Sequence, residues 1–523
     1  MRASGVLLPV SSIPSKYGIG CFSAEAYEFV DQLARAGQTY WQILPLGPVG
    51  YGDSPYQSFS TFAGNCYYID LEKLIEQGWL TKEECDAASL GDNDRYVDYE
   101  KEYYGRYDLL KKAFQNSGIE KDKEFQAYVE KQKDWLPDYA LFMALKDEHD
   151  GQPWDTWEEE LRKRDEAVLA KKREECREVI LFHEFLQYEF TVQWLALKAY
   201  ANDKGIQIIG DIPIYVSYDS SDAWTAPELF QFGKDGKPVA VAGCPPDAFS
   251  ELGQLWGNPL YDWPYHKKTG YAWWLKRLGF CFTIYDVVRI DHFRGFDEYY
   301  SIPYGHKDAR KGKWEKGPGY DLFKVVNEKF PGQEVIAEDL GFITDSVRKL
   351  VEDSGYPGMK VLEFAFDERD NSTSDYLPFR YSTNSVVYTG THDNETLVQW
   401  FCDSIPEGAK KSVRNYLCNY ETPDEEMYYP IICEAMGSVS KMCIIPMQDL
   451  LGLGAEARMN TPSTLGDNWK WRLQKGEFTK ELEEKLYKTT RTYGRLSEKC
   501  VEAEKKAAAE KETVAKKTAE EEK

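Results

Sequence analysis

Four stretches of the sequence set carboxylates behind short apolar runs. GDIPIYV carries Asp211, VVRIDHFRGF carries Arg289, Asp291 and His292, VIAEDLG carries Glu338, and VVYTGTHDNET carries His392 and Asp393. The runs are rich in Val and Ile, as strands covered on both faces should be, so each carboxylate stands at a strand end. If those ends share one mouth, several acids meet in one pocket, where like charges repel unless the chemistry uses them. Buried Asp and Arg at strand ends also serve only to tie loops down; with no Cys/His cluster at metal spacing and no phosphate-binding glycine loop in the sequence, the natural chemistry for such a group of acids is cleavage of a glycosidic bond. One carboxylate attacks the anomeric carbon, another gives a proton to the leaving oxygen, and both flank an oxocarbenium-like transition state. Arg289 lies two residues before Asp291, on the same strand face, where its charge favours the ionised carboxylate. Glu338 must instead rest protonated, which partial burial near other acids achieves. Asp339 points to the opposite face and is the weaker candidate.

The elements that position these residues read as a repeating strand–helix pattern. Strands are predicted at 5–8 and 40–44, then in IQIIGDIPIYV from Ile206, DVVRID around Val287, EVIAED around Val335, MKVLEF from Met359, SVVYTG from Ser385 and MCIIPM from Met442. Helical patterns separate most of them; Ser23 precedes one such stretch, with Ala26, Phe29, Val30 and Leu33 on one face and Gly37 as its stop. Eight such units predict an α/β fold of the (β/α)8 TIM-barrel type, with an open doubly wound sheet as the alternative. No GxGxxG or GxxxxGK[ST] follows any strand, so a nucleotide site is unsupported. About 160 residues separate the second strand from the third, far more than a crossover needs. A largely helical insertion is therefore expected at about 75–200. The whole of 1–498 reads as one barrel domain. The charged stretch 499–523 has no aromatic residue and reads as a frayed, solvated helical tail.

Composition narrows the ligand. The 523 residues include 88 Asp and Glu against 64 Lys and Arg, a net charge of −24, which argues against nucleic acid and anionic membranes. Aromatic residues make up 15% of the chain. Their faces stack on apolar ligand surfaces while Tyr and Trp offer polar tips, a combination that suits the C–H faces and hydroxyl rims of sugars. The eleven cysteines are scattered, without a CxxC pair. The N-terminal apolar stretch is too short for a secretory signal, and no run approaches a membrane span. A reduced, cytoplasmic location is expected, and no membrane association.

The motifs then fit together. RIDHFRGF, AEDLG and THDNE, in that order, resemble the catalytic regions of the α-amylase clan. With GYGDSPYQSFSTFAGN, VAGCPPDAFSELGQLWGNPLYDW and RMNTPSTLGDNWKWR, the chain is similar to amylomaltases, the 4-α-glucanotransferases or disproportionating enzymes, over about residues 4–472. The resemblance implies a barrel with inserted subdomains and no separate C-terminal β-domain. It implies Asp291 as the nucleophile of a covalent glucosyl enzyme, Glu338 as acid and then base, and Asp393 as the transition-state stabiliser holding the sugar's 2- and 3-hydroxyls. Arg289, His292 and His392 match positions beside these carboxylates, and Asp211 matches a substrate-contacting strand end. Ser54 and Tyr56 lie in a segment that lines the family's glucan groove. Asp247, Phe249, Gln254 and Trp256 match a lid loop, at about 243–258, that arches over the site, and Asn460 lies in the last strand-end motif. The sequence departs from the usual pattern at Ala248, at Cys66 and in YLPFRY from Tyr376, which bears on acceptor contacts and water exclusion.

The expected reaction is a retaining transfer: an α-1,4-glucosidic bond of a maltooligosaccharide or glucan is cleaved, and the glucan passes to the 4-hydroxyl of glucose or another maltooligosaccharide. The same three carboxylates would serve an α-1,4-glucan hydrolase. A non-catalytic glucan-binding protein would be expected to lack at least one of them. No cofactor and no metal are expected, since proton and carboxylate chemistry needs neither.

Overall fold

A computed structural model describes residues 2–50, 52–91, 93–246, 251–341, 343–366 and 374–521. Among these residues twelve strands are numbered in chain order. Eight of them close a barrel: β1 (Ala3–Leu7), β2 (Tyr40–Gln42), β3 (Gln207–Pro213), β6 (Val287–Asp291), β9 (Glu334–Ala337), β10 (Gly358–Val361), β11 (Ser385–Tyr388) and β12 (Met442–Pro446). The ring runs β1-β12-β11-β10-β9-β6-β3-β2 and is parallel throughout. The TIM barrel expected from the sequence is therefore present, built on all eight predicted strands.

The alternation of each strand separates two cores. Leu7, Tyr40, Ile209, Val287, Ile336, Met359, Val386, Tyr388, Met442 and Ile444 form one buried cluster. Their alternate neighbours, including Val6, Trp41, Ile208, Val288, Ile290, Val335, Val387 and Cys443, join the larger cluster shared with the helices. The first cluster is the barrel lumen. Strand period 2 then dictates what the lumen face carries next: Asp211 follows Ile209, Arg289 and Asp291 follow Val287, and Glu338 follows Ile336. Gly210, between Ile209 and Asp211, permits close packing of Tyr285, because a Cβ there would lie 2.2 Å from the tyrosine ring.

Between β2 and β3 the chain is largely helical from Cys66 on and ends in Arg177–Lys204, a 28-residue helix stopped by Gly205 at a positive φ of 87°. The helix Ala24–Arg35 buries Ala26, Phe29, Val30 and Leu33. The Ser23 hydroxyl does not cap it; it donates to Glu25 Oε2 at 2.9 Å. The insertions are not all helical, however. β4 (Ala240–Cys244), β5 (Gln254–Pro259), β7 (Glu298–Pro303) and β8 (Lys313–Lys316) form a four-stranded antiparallel sheet in the order β5-β4-β7-β8. It combines residues inserted after β3 with residues inserted after β6. Glu498–Glu521 is a helix. Among the described residues, no helix is long and apolar enough to cross a membrane.

Candidate active site

The site is built on one buried cation. Arg289, 3% exposed, reaches Asp211 Oδ2 through Nη1 at 2.6 Å and Asp291 Oδ1 through Nη2 at 3.0 Å. Register explains the reach: Asp211 and Arg289 are paired partners on adjacent β3 and β6, and Asp291 is the next residue on Arg289's face. Arg289 Nε meets Met359 Sδ, two strands along the ring on β10, at 3.3 Å. Asp211 is fully buried and also accepts from the Tyr56 hydroxyl at 2.7 Å. A charge so deep is tolerable only because it is paired and hydrogen-bonded.

Asp291 ends β6, and the chain then turns through His292 at a positive φ of 55°. A non-glycine residue in that region is strained. The turn has an effect on the next strand end: His292 N–H donates to Glu338 Oε2 at 2.6 Å. Leu340 N–H donates to Glu338 Oε1 at 2.7 Å. Asp291 and Glu338 are thus joined through one peptide unit, but their surroundings differ. Burial pushes the Asp291 carboxyl up, and Arg289 in direct contact opposes that rise. Burial and the neighbouring Asp291 charge push Glu338 up further, with Arg289 and the two backbone N–H groups opposing. The pair therefore holds its charge on Asp291 and its proton on Glu338. Burial, and then the Arg294 charge, push the His292 imidazole down to about 3, so this ring is neutral.

Asp393 lies in the segment after β11. Asn460 Nδ2 donates to its Oδ1 at 2.6 Å, His392 Nε2 lies 3.4 Å from the same oxygen, and Arg458 Nη2 holds its backbone carbonyl at 3.2 Å. The carboxylate is close enough to Asp291 to help push that group up. His392, 3% exposed, stacks on the Tyr56 ring at 5.2 Å and 16°, and Trp469 lies 5.8 Å from both rings. Trp256, on β5, meets His292 edge to face at 4.8 Å and donates its Nε1–H to Gln254 Oε1 at 3.0 Å. The four-stranded sheet thus brings Gln254 and Trp256 beside the strand ends.

The structure gathers Tyr56, Asp211, Arg289, Asp291, His292, Glu338, His392, Asp393 and Asn460 into one contact network. Ser54 differs: its hydroxyl accepts from Tyr56 N–H at 3.3 Å and so braces the turn that presents Tyr56. Asp247 and Phe249 lie outside the described residues. Asp339 turns away, its Oδ1 accepting from Met359 N–H at 2.7 Å. Among the described residues, Asp211 Oδ1, His292 Nε2 and His392 Nδ1, all buried at the site, have no hydrogen-bond partner. Sequence reading missed Trp469 and Arg458, although both lie in or beside the RMNTPSTLGDNWKWR motif; their contacts with His392 and Asp393 span more than sixty residues and carry no local signal. Among the described residues no group of His, Cys, Asp or Glu is arranged to hold a metal ion.

Comparison with known proteins adds an independent line. A family described as 4-alpha-glucanotransferase matches residues 8–479. A 4-alpha-glucanotransferase of Clostridium butyricum is 48% identical over 488 residues, covering 93% of this chain and 99% of that protein. One from Streptococcus pneumoniae is 47% identical over 506 residues, covering 96% and 99%. Among solved structures, an amylomaltase from Streptococcus agalactiae in complex with acarbose superposes with a TM-score of 0.91 at 41% identity, covering 95% of this chain and all of that one.

Proposed function

The chain belongs to the 4-α-glucanotransferase family, and from that premise we propose how its site carries out transfer between α-1,4-glucans. Asp291, kept ionised by Arg289 at 3.0 Å, attacks the anomeric carbon of a bound donor. The bond from that carbon to the leaving oxygen breaks as Glu338 gives the oxygen its proton. The product is a glucosyl ester of Asp291 with the anomeric configuration inverted. The 4-hydroxyl of an acceptor then attacks the same carbon, Glu338, now a carboxylate, takes its proton, and the ester bond breaks. Two inversions give net retention. Asp393, oriented by Asn460 and His392, holds the 2- and 3-hydroxyls and meets the positive charge that develops on the ring.

The observation that carries this reading is the asymmetry of the two carboxyl groups. One arginine contacts Asp291 and not Glu338, so two acids in one pocket take different protonation states, which is what a nucleophile and a general acid require. The buried polar atoms on Asp211, His292 and His392 that have no partner among the described residues suit a ligand rich in hydroxyls, and Tyr56 and Trp256 supply ring surfaces beside them. Donors are maltooligosaccharides and longer α-1,4-glucans; acceptors are glucose and maltooligosaccharides. We place the enzyme in the cytoplasm, supported by the buried thiols of Cys21, Cys85, Cys281 and Cys443, none of which is in a disulfide.

The test is the product profile from maltotriose. Transfer predicts a ladder of longer maltooligosaccharides and free glucose with nearly constant total reducing ends. A steady rise in reducing ends without longer products contradicts transfer and indicates the hydrolase. No conversion of maltotriose at all indicates the non-catalytic glucan binder.

A further inference from the structure

The segment 389–397 carries Asp393 at its midpoint, and carboxyl groups from both neighbouring strand ends hold it. β10, β11 and β12 are successive neighbours in the ring. Glu363 follows β10 in the 3-10 turn Leu362–Phe366, segment 389–397 follows β11, and Asp449 follows β12 in the helix Met447–Leu451. Asp449 Oδ2 accepts from Thr389 Oγ1 at 2.6 Å and its Oδ1 from Leu397 N–H at 2.8 Å. One side chain, 1% exposed, thereby fastens both ends of the segment.

Glu363 pins the middle. Its Oε2 accepts from Asn394 Nδ2 at 2.9 Å. Asn394 Oδ1 accepts from Thr391 N–H at 2.9 Å and from Thr391 Oγ1 at 2.8 Å. Thr391 Oγ1 in turn accepts from Asp393 N–H at 3.3 Å. An unbroken chain of contacts runs from Glu363 to the backbone of Asp393. Gly390 leaves the room for it: a Cβ there would lie 2.9 Å from Glu363 Oε1 and 3.1 Å from the Asn394 side chain.

We propose that Glu363 and Asp449 are positioning residues that fix segment 389–397 so that Asp393 meets the reacting sugar in its transition-state geometry. The proposal rests on the reading of Asp393 as the stabiliser. The Asp393 side chain is nearly half exposed and sits on a loop, so its placement depends on what holds that loop. A displacement of about 1 Å at a reacting group costs on the order of a hundredfold in rate, and a rigid supporting layer prevents it. The groups facing Glu363 are Asp449, Asn394, Glu395 and Arg458; burial and then Asp449 push its carboxyl well above the usual range, against Asn394 and Arg458. Its surroundings therefore favour the neutral acid. Among the described residues its buried Oε1 has no hydrogen-bond partner.

A neutral acid that accepts one N–H bond has a close mimic in glutamine. The test measures kcat and KM for maltotriose disproportionation on protein whose unfolding transition lies well above the assay temperature. Glu363→Gln is expected to keep kcat within about threefold of wild type. Glu363→Ala is expected to lower kcat roughly 10- to 100-fold, with KM changed by less than about threefold, because the stabiliser acts mainly in the transition state. Asp449→Asn turns one of its two acceptors into a donor and should lose kcat similarly. If Glu363→Ala does not fold, Asn394→Ala breaks the same chain and carries the same expectation. A folded alanine variant with wild-type kcat, or a glutamine variant as impaired as alanine, overturns the proposal. Asp393→Ala is the control: if that variant stays active, the reading of Asp393 itself fails, and the two failures are distinguishable.

Discussion

Replacing Arg289 by methionine removes the one cation that bridges Asp211 and Asp291 while keeping the buried aliphatic volume. At a 3 Å separation and an effective dielectric of about 20, the attraction holding the Asp291 charge is on the order of 5 kcal/mol. Asp211 and Tyr56 relax to recover part of it, so a rise of about 1–3 pKa units at Asp291 is expected, the usual scale for a carboxylate beside arginine. At 1.36 kcal/mol per unit, that is roughly 1.4–4 kcal/mol. The sign is fixed: the guanidinium favours the anion, so its loss raises the pKa at which the nucleophile forms. In a pH profile of kcat/KM for maltotriose disproportionation, the acid limb should move upward by that amount. Activity at neutral pH should fall roughly tenfold for each unit by which the new pKa exceeds the assay pH. Arg289→Lys should fall between, since a single ammonium does not serve two carboxylates in the same fork geometry. An acid limb that stays in place in both variants would refute the claim that Arg289 sets the charge on Asp291.

Further expectations follow from the same geometry. The wild-type profile should be bell-shaped, rising as Asp291 deprotonates above the ordinary Asp range and falling as Glu338 deprotonates above the ordinary Glu range; a flat alkaline side contradicts Glu338 as the acid. Glu338→Gln should lose about 10²- to 10⁴-fold on maltotriose but far less in the single-turnover release of fluoride from maltosyl fluoride, whose leaving group needs no proton; equal losses in the two measurements would contradict the assignment. Trp256→Ala, which removes the ring against His292, should raise the ratio of hydrolysis to transfer, read as free reducing ends per transfer product; an unchanged ratio removes Trp256 from water exclusion. Away from the site, Arg106→Met should destabilise the fold by about 3–5 kcal/mol, because it strands the fully buried Glu102 and releases the carbonyls of Tyr17 and Ile69; a thermal midpoint equal to wild type would show that this pair contributes nothing.

The sequence made the barrel and the reacting carboxylates legible because both depend on strand alternation. Val287, Arg289 and Asp291 share a face by period 2, and the lumen cluster of Ile209, Val287 and Ile336 shows which face it is. What stayed hidden is set by contacts between distant segments. The strands β4, β5, β7 and β8 are short, and QLWGNP and KWEK lack a clear apolar pattern; they become a sheet only because two separate insertions meet. Glu363 and Asp449 sit inside LEFAF and MQDLL, runs that look like core packing, and only the barrel order places them on either side of Asp393's segment. Ser54 was legible as part of a groove motif, but its hydroxyl is spent on the turn that presents Tyr56.

The central claim, a covalent glucosyl enzyme on Asp291, is tested most directly by trapping. Glu338→Gln incubated with maltosyl fluoride and no added acceptor should form the ester and resolve it slowly, since no base activates water or the 4-hydroxyl of a second donor molecule. Quenching, proteolysis and mass spectrometry should then find one added maltosyl group, on the peptide containing Asp291. A label on another residue, or no label while fluoride is still released, would contradict the account.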